Sequence, residues 1–72
     1  MLKKFQAAYE KAREALTVKE AALVGLQAVY PDAEISLDRA SDGHWEAVVA
    51  SPVCILRAKG ESAVGAAEAL FD

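Results

Sequence analysis

The spacing of apolar residues changes once along this chain, at Pro31 and Asp32, and that change constrains the fold more than any other feature. Before it, Leu2, Phe5, Tyr9, Ala12, Leu16, Leu23, Leu26 and Tyr30 recur at threes and fours, with no proline and only Gly25 among them. That is the stripe of an amphipathic helix. The stripe is interrupted at Thr17, which with Glu20 spells a T-x-x-E capping box, and Lys19 stands where an apolar residue is due. Two helices, about 2–15 and 18–30, are therefore expected, with one bent helix as the alternative. Pro31 ends the helical half, because proline cannot continue the ladder and pushes Tyr30 toward an extended backbone.

From Glu34 the period is two. Ile35 and Leu37 alternate with Glu34, Ser36 and Asp38, a half-buried strand over about 34–39. Ser41, Asp42 and Gly43 supply turn chemistry, and Trp45, Ala47 and Val49 then alternate with Glu46, Val48 and Ala50 in a second strand over about 44–50. Ser51 and Pro52 punctuate again before a third strand over about 53–58, rich in β-formers. Gly60 is read as the strand breaker and Ser62 as the cap of a last helix over about 63–71, with Val64, Ala67, Leu70 and Phe71 on one face. The expected fold is α+β, in the order α(α)βββα: a three-stranded antiparallel meander packed on one face by helices. Seventy-two residues make a single domain, 1–72.

Composition narrows the function. Eight Lys plus Arg against 11 Asp plus Glu give a net charge of -3, which argues against direct binding of a phosphate backbone. The charge is uneven: residues 1–16 carry Lys3, Lys4, Lys11 and Arg13 against Glu10 and Glu14, and the rest of the chain is acidic. One Cys and one His leave neither a disulfide nor a histidine metal cluster to staple a small fold. No cofactor or metal is expected. The amino terminus lacks a signal-like apolar run, and AALVGLQAVY is about half of a membrane span of roughly 20 residues. A soluble, cytoplasmic chain with no membrane contact is expected, with Cys54 a buried thiol inside VCIL.

Few residues invite catalysis. His44, the lone histidine and the one candidate general base, has only Asp42 as a nearby acid and no nucleophile motif, so a surface role is expected and the chain is read as no enzyme. Asp32, Glu34, Asp38, Asp42 and Glu46 match no calcium-loop spacing, and the glycines form no phosphate cradle. Trp45 shares a face with Ala47 and Val49 and is read as core. The opposite sheet face is more informative. Glu46, Val48, Val53, Ile55 and Arg57 are expected there as an apolar island inside an acidic rim, the candidate contact surface for a protein partner. The first helix offers another surface, a stripe including Leu2, Phe5 and Tyr9 that packs either on its own domain or in a homodimer.

Three resemblances bear on the partner. In residues 43–70, Gly60, Glu61, Ser62 and Ala66 are similar to a segment of the HicB-like antitoxins, which implies neutralisation of a small RNase toxin by contact. Residues 18–71 resemble the αβββα plan of the double-stranded-RNA-binding domain, with Gly43 and His44 before the second strand; that likeness implies an RNA-binding module. In that family paired lysines follow the serine that begins the last helix, whereas here Ser62 is followed by Ala63 and Val64. The alanine-rich chain with PDAEISL, a hairpin and G-E-S-x-x-x-A is also similar to small phage and prophage orphan proteins, anti-CRISPR inhibitors among them. The leading expectation is a small acidic protein-protein interaction module, a phage or mobile-element accessory or inhibitor protein that binds a host protein, one that itself binds nucleic acid being a suitable target.

Overall fold

The computed structural model describes residues 1–71. Helix α1 spans Leu2–Arg13 and α2 spans Val18–Val29. Between them the chain turns, and the bent-helix alternative does not hold. Arg13 donates from Nη1 to the Leu16 carbonyl at 2.8 Å, which occupies a carbonyl in the connection between the helices. Thr17 then starts α2: its Oγ1 accepts from the Glu20 amide at 3.3 Å, and Glu20 Oε1 accepts from the Thr17 amide at 3.3 Å. Each side chain thereby satisfies a donor that a helix start leaves open. α2 closes at Tyr30, whose amide donates to the Leu26 carbonyl at 2.8 Å, just before Pro31.

The strands are β1 (Glu34–Arg39), β2 (Trp45–Ala50) and β3 (Ile55–Gly60), followed by α3 (Ala63–Ala69). They form an antiparallel sheet in the order β1-β2-β3, with Leu37 opposite Ala47 and Ala47 opposite Ala58. The fold is thus α+β, with helices against one face of an open meander. Gly43, at φ +91°, closes the first hairpin in the left-handed region that glycine enters without a Cβ penalty. Its amide donates to the Ala40 carbonyl at 3.0 Å, and Ala40 donates to the His44 carbonyl at 2.7 Å.

The second hairpin corrects the expected strand boundary. Ser51 donates its amide to the Cys54 carbonyl at 2.9 Å, while its Oγ accepts from the Cys54 amide at 3.2 Å. Pro52 and Val53 are consequently the two tip residues of a tight turn, and β3 begins at Ile55. Cys54, expected to be buried, is exposed at this turn. Gly60 is not a breaker beyond the strand; it is the last residue of β3, and its missing side chain admits the backbone of α3.

The core lies between the helical layer and one sheet face. Phe5, Leu26, Leu37 and Val49 are its largest fully buried side chains, and six of its ten buried hydrophobic residues are alanines, so the helices approach closely. Trp45 and Ile35 pack at its margin. Phe5 lies 5.9 Å from Tyr9 and 5.7 Å from Phe71, and Phe71 lies 6.2 Å from Tyr30, measured between ring centroids. This aromatic run ties α1 to the segments that follow α2 and α3. It also corrects the idea of a homodimer through Leu2, Phe5 and Tyr9: Phe5 is wholly inside its own core and Tyr9 stacks on it, leaving Leu2 as the exposed member.

Candidate functional site

Register and burial together define what the sheet presents away from the helices. Leu37, Ala47 and Val49 are buried on the helix side, so alternation sends Glu34, Ser36 and Asp38 of β1, Glu46, Val48 and Ala50 of β2, and Ile55, Arg57 and Lys59 of β3 to the other. Pairing arranges them in three rows across the sheet: Glu34-Ala50-Ile55, Ser36-Val48-Arg57 and Asp38-Glu46-Lys59. Arg57 Nη1 lies 4.0 Å from Glu46 Oε1 across the diagonal, as two side chains on one face should. From the flank, Lys19 reaches to 3.9 Å from Asp38 Oδ1.

Of the five residues expected on this face, Glu46, Val48, Ile55 and Arg57 lie on it, with Ile55 58% exposed and Val48 partly covered. Val53 does not; it projects from the turn at 90% exposure, next to the sheet end that carries Ile55. Lys59 was missed, because ending the third strand at Ala58 left it outside. The signal was present in Ser51-Pro52-Val53-Cys54: pairing Ser51 with Cys54 around a two-residue tip sets Lys59 opposite Glu46. The rim is therefore not uniformly acidic. Its acids stand on β1 and β2 and its cations on β3.

His44 and Asp42 sit on the first hairpin, outside this face. The His44 amide donates to Asp42 Oδ1 at 3.0 Å, and His44 Nδ1 lies 3.4 Å from the same oxygen. That backbone hydrogen bond, assisted by the charge of the imidazole when protonated, holds the Asp42 carboxyl below its ordinary value. Among the described residues there is no enclosed pocket and no cluster of three or more His, Cys, Asp or Glu side chains placed to share a metal ion. At the start of α3, Ser62 Oγ accepts from the Gly65 amide at 2.9 Å and Ala63 is buried, so the helix start meets the protein's own core. No helix among the described residues is long and apolar enough to cross a membrane.

No protein-family model, curated protein or solved structure matched this chain. The functional reading consequently rests on the chemistry of the surfaces.

Proposed function

We propose that this chain is a non-catalytic protein-binding module that engages another protein through the open face of its sheet. Its biological setting is that of a small cytoplasmic accessory or inhibitor protein of a phage or mobile element, acting on a host protein. The observation that carries the reading is Ile55 at 58% exposure beside Val48 and Ala50, framed by Glu46, Asp38, Arg57 and Lys59. Apolar centres with charged surrounds are the ordinary anatomy of a protein contact: the centre excludes water and the surround sets orientation and encounter rate. The setting is supported by the alanine-rich composition and by the resemblance of PDAEISL and G-E-S-x-x-x-A to segments of small phage proteins.

The test begins with capture of a partner from host lysate, followed by titration of that purified partner. Val48→Asp with Ile55→Asp puts two carboxylates in the apolar centre without touching a fully buried side chain. Loss of binding with an unchanged circular-dichroism spectrum is expected, while Lys3→Glu with Lys11→Glu, both exposed on α1, leaves affinity intact. Unchanged affinity for the sheet-face variant would reject the face. Loss confined to the helix variant would move the contact to the basic surface of α1.

A further inference from the structure

The charges of the open face are sorted by strand. On that side β1 carries Glu34 and Asp38 and no cation of its own, the Lys19 ammonium of α2 standing 3.9 Å from Asp38 at the flank, whereas β3 carries Arg57 and Lys59 and no anion. β2 runs between them with Glu46, Val48 and Ala50. A surface with one acidic border and one basic border can be complementary to itself, and geometry allows this in one aligned orientation. A half-turn about an axis in the face, parallel to β2, exchanges the β1 and β3 borders while preserving position along the strands. Because Asp38, Glu46 and Lys59 occupy one cross-strand row, that rotation lays each Asp38 over the Lys59 of the other copy, twice by symmetry. Val48 meets its own copy on the axis, and Ile55 meets the aliphatic stem of Glu34. A half-turn about the perpendicular in-plane axis instead sets acid on acid and cation on cation, which repel.

We infer that a second copy of this chain docks on the open face, related by a two-fold axis parallel to β2 and held by the paired Asp38–Lys59 contacts around Val48. This rests on the reading of the open face as the contact surface and adds its regulation: self-association occludes the surface that a different partner needs. Three strands about 4.8 Å apart and six residues rising about 3.3 Å each give a footprint of roughly 300 Å². Stable complexes bury about 800 Å² per partner, so the dimer is weak and reversible. Glu46 opposes it, since the two copies of that carboxylate approach near the axis.

The experiment is a charge-exchange pair followed by sedimentation equilibrium and by dilution-dependent amide NMR shifts at an ionic strength of about 20 mM, where screening is small. The native chain shifts with concentration at residues of the open face. Asp38→Lys alone and Lys59→Asp alone each weaken self-association by about tenfold or more, because each variant sets like charges opposite one another at both symmetric contacts. An equimolar mixture of the two restores opposite charges at both contacts and recovers affinity to within about threefold of the native dimer. Glu46→Gln strengthens it. A chain monomeric up to millimolar concentration, dilution shifts confined to α1, or a mixture that fails to recover would each overturn the inference. A variant that does not fold is identified by circular dichroism and replaced by Asp38→Asn or Lys59→Gln, which must still weaken association. A native chain that binds its partner through the open face yet does not self-associate defeats the inference alone. If Val48→Asp with Ile55→Asp leaves both unchanged, the open-face reading falls with it.

Discussion

Gly60→Ala tests the packing that sets the open face in place. A Cβ built on Gly60 would lie 2.6 Å from the Gly65 carbonyl carbon and 2.9 Å from Ala66 Cα, and closer still to the Ala66 amide nitrogen. Carbon atoms rest at about 3.5–4.0 Å, so the start of α3 must withdraw by about 1 Å. No rotamer change relieves this, because every obstructing atom is backbone. Withdrawal also lifts Ala63, Ala66 and Ala67 from the sheet, and alanines have no longer atoms with which to refill the gap. Overpacking of this kind costs about 1–3 kcal/mol, and the backbone contact places it at the upper end. The smaller entropy of an unfolded chain with alanine offsets about 0.4–1 kcal/mol, leaving a net loss of about 2 kcal/mol. For 72 residues the whole stability is of the order of 4–11 kcal/mol, so the midpoint temperature should fall by about 8–16 °C. Urea unfolding followed by Trp45 fluorescence is the assay, since Trp45 pairs directly opposite Gly60. Gly65→Ala is the control: its nearest obstacle is a side chain, Ser62 Oγ at 3.0 Å, and its helix propensity improves. A Gly60→Ala chain within about 0.5 kcal/mol of the native one, or equal effects for the two glycines, would refute close approach as the reason for Gly60.

Three further outcomes are expected. Thr17→Ala removes the hydroxyl half of the α2 capping box and should cost about 1 kcal/mol by urea unfolding; no loss would mean that packing alone starts the helix. Phe5→Ala should cost about 3–5 kcal/mol because Phe5 is fully buried, whereas Val53→Ala should change stability by less than about 0.5 kcal/mol at 90% exposure. Asp42 should titrate below the ordinary carboxylate value by carbon-13 NMR, because its ionised form accepts the His44 amide. With the folded value depressed, its contribution to stability is present above the unfolded value and is lost as pH falls through the folded one. Asp42→Asn should flatten that acid limb, and a midpoint at or above the ordinary value would contradict the hydrogen bond.

Element order was legible because each transition carries its own local chemistry. Thr17 and Glu20 cap a helix by reciprocal hydrogen bonds, Pro31 stops one, and Ser41-Asp42-Gly43 makes a turn whose third residue needs positive φ. None of these depends on distant residues. The third strand was harder, because Val53-Cys54-Ile55-Leu56 has β propensity throughout and propensity does not locate a hairpin tip. The side chain of Ser51 does, by accepting the Cys54 amide and leaving Pro52 and Val53 at the apex. Gly60 misled for a similar reason: as a sequence signal it reads as a breaker, whereas its purpose is contact with a helix that follows only three residues later.

The open face was partly legible because alternation fixes which side chains share a side, but alternation says nothing about the order of charges across strands. That order arises only when register puts Lys59 and Asp38 on either side of Glu46. The proposed recognition by a flat surface fits the same architecture. With alanines at six of its ten buried hydrophobic positions, the helical layer sits close to the sheet, and the molecule measures 29 × 29 × 19 Å. A slab of that thickness has one covered sheet face and one that helices do not reach. On the proposed reading of the open face as a contact surface, discrimination between partners comes from the sequence of charges across β1, β2 and β3, which is why exchanging Asp38 and Lys59 is a sharper test of that proposal than deleting any buried group.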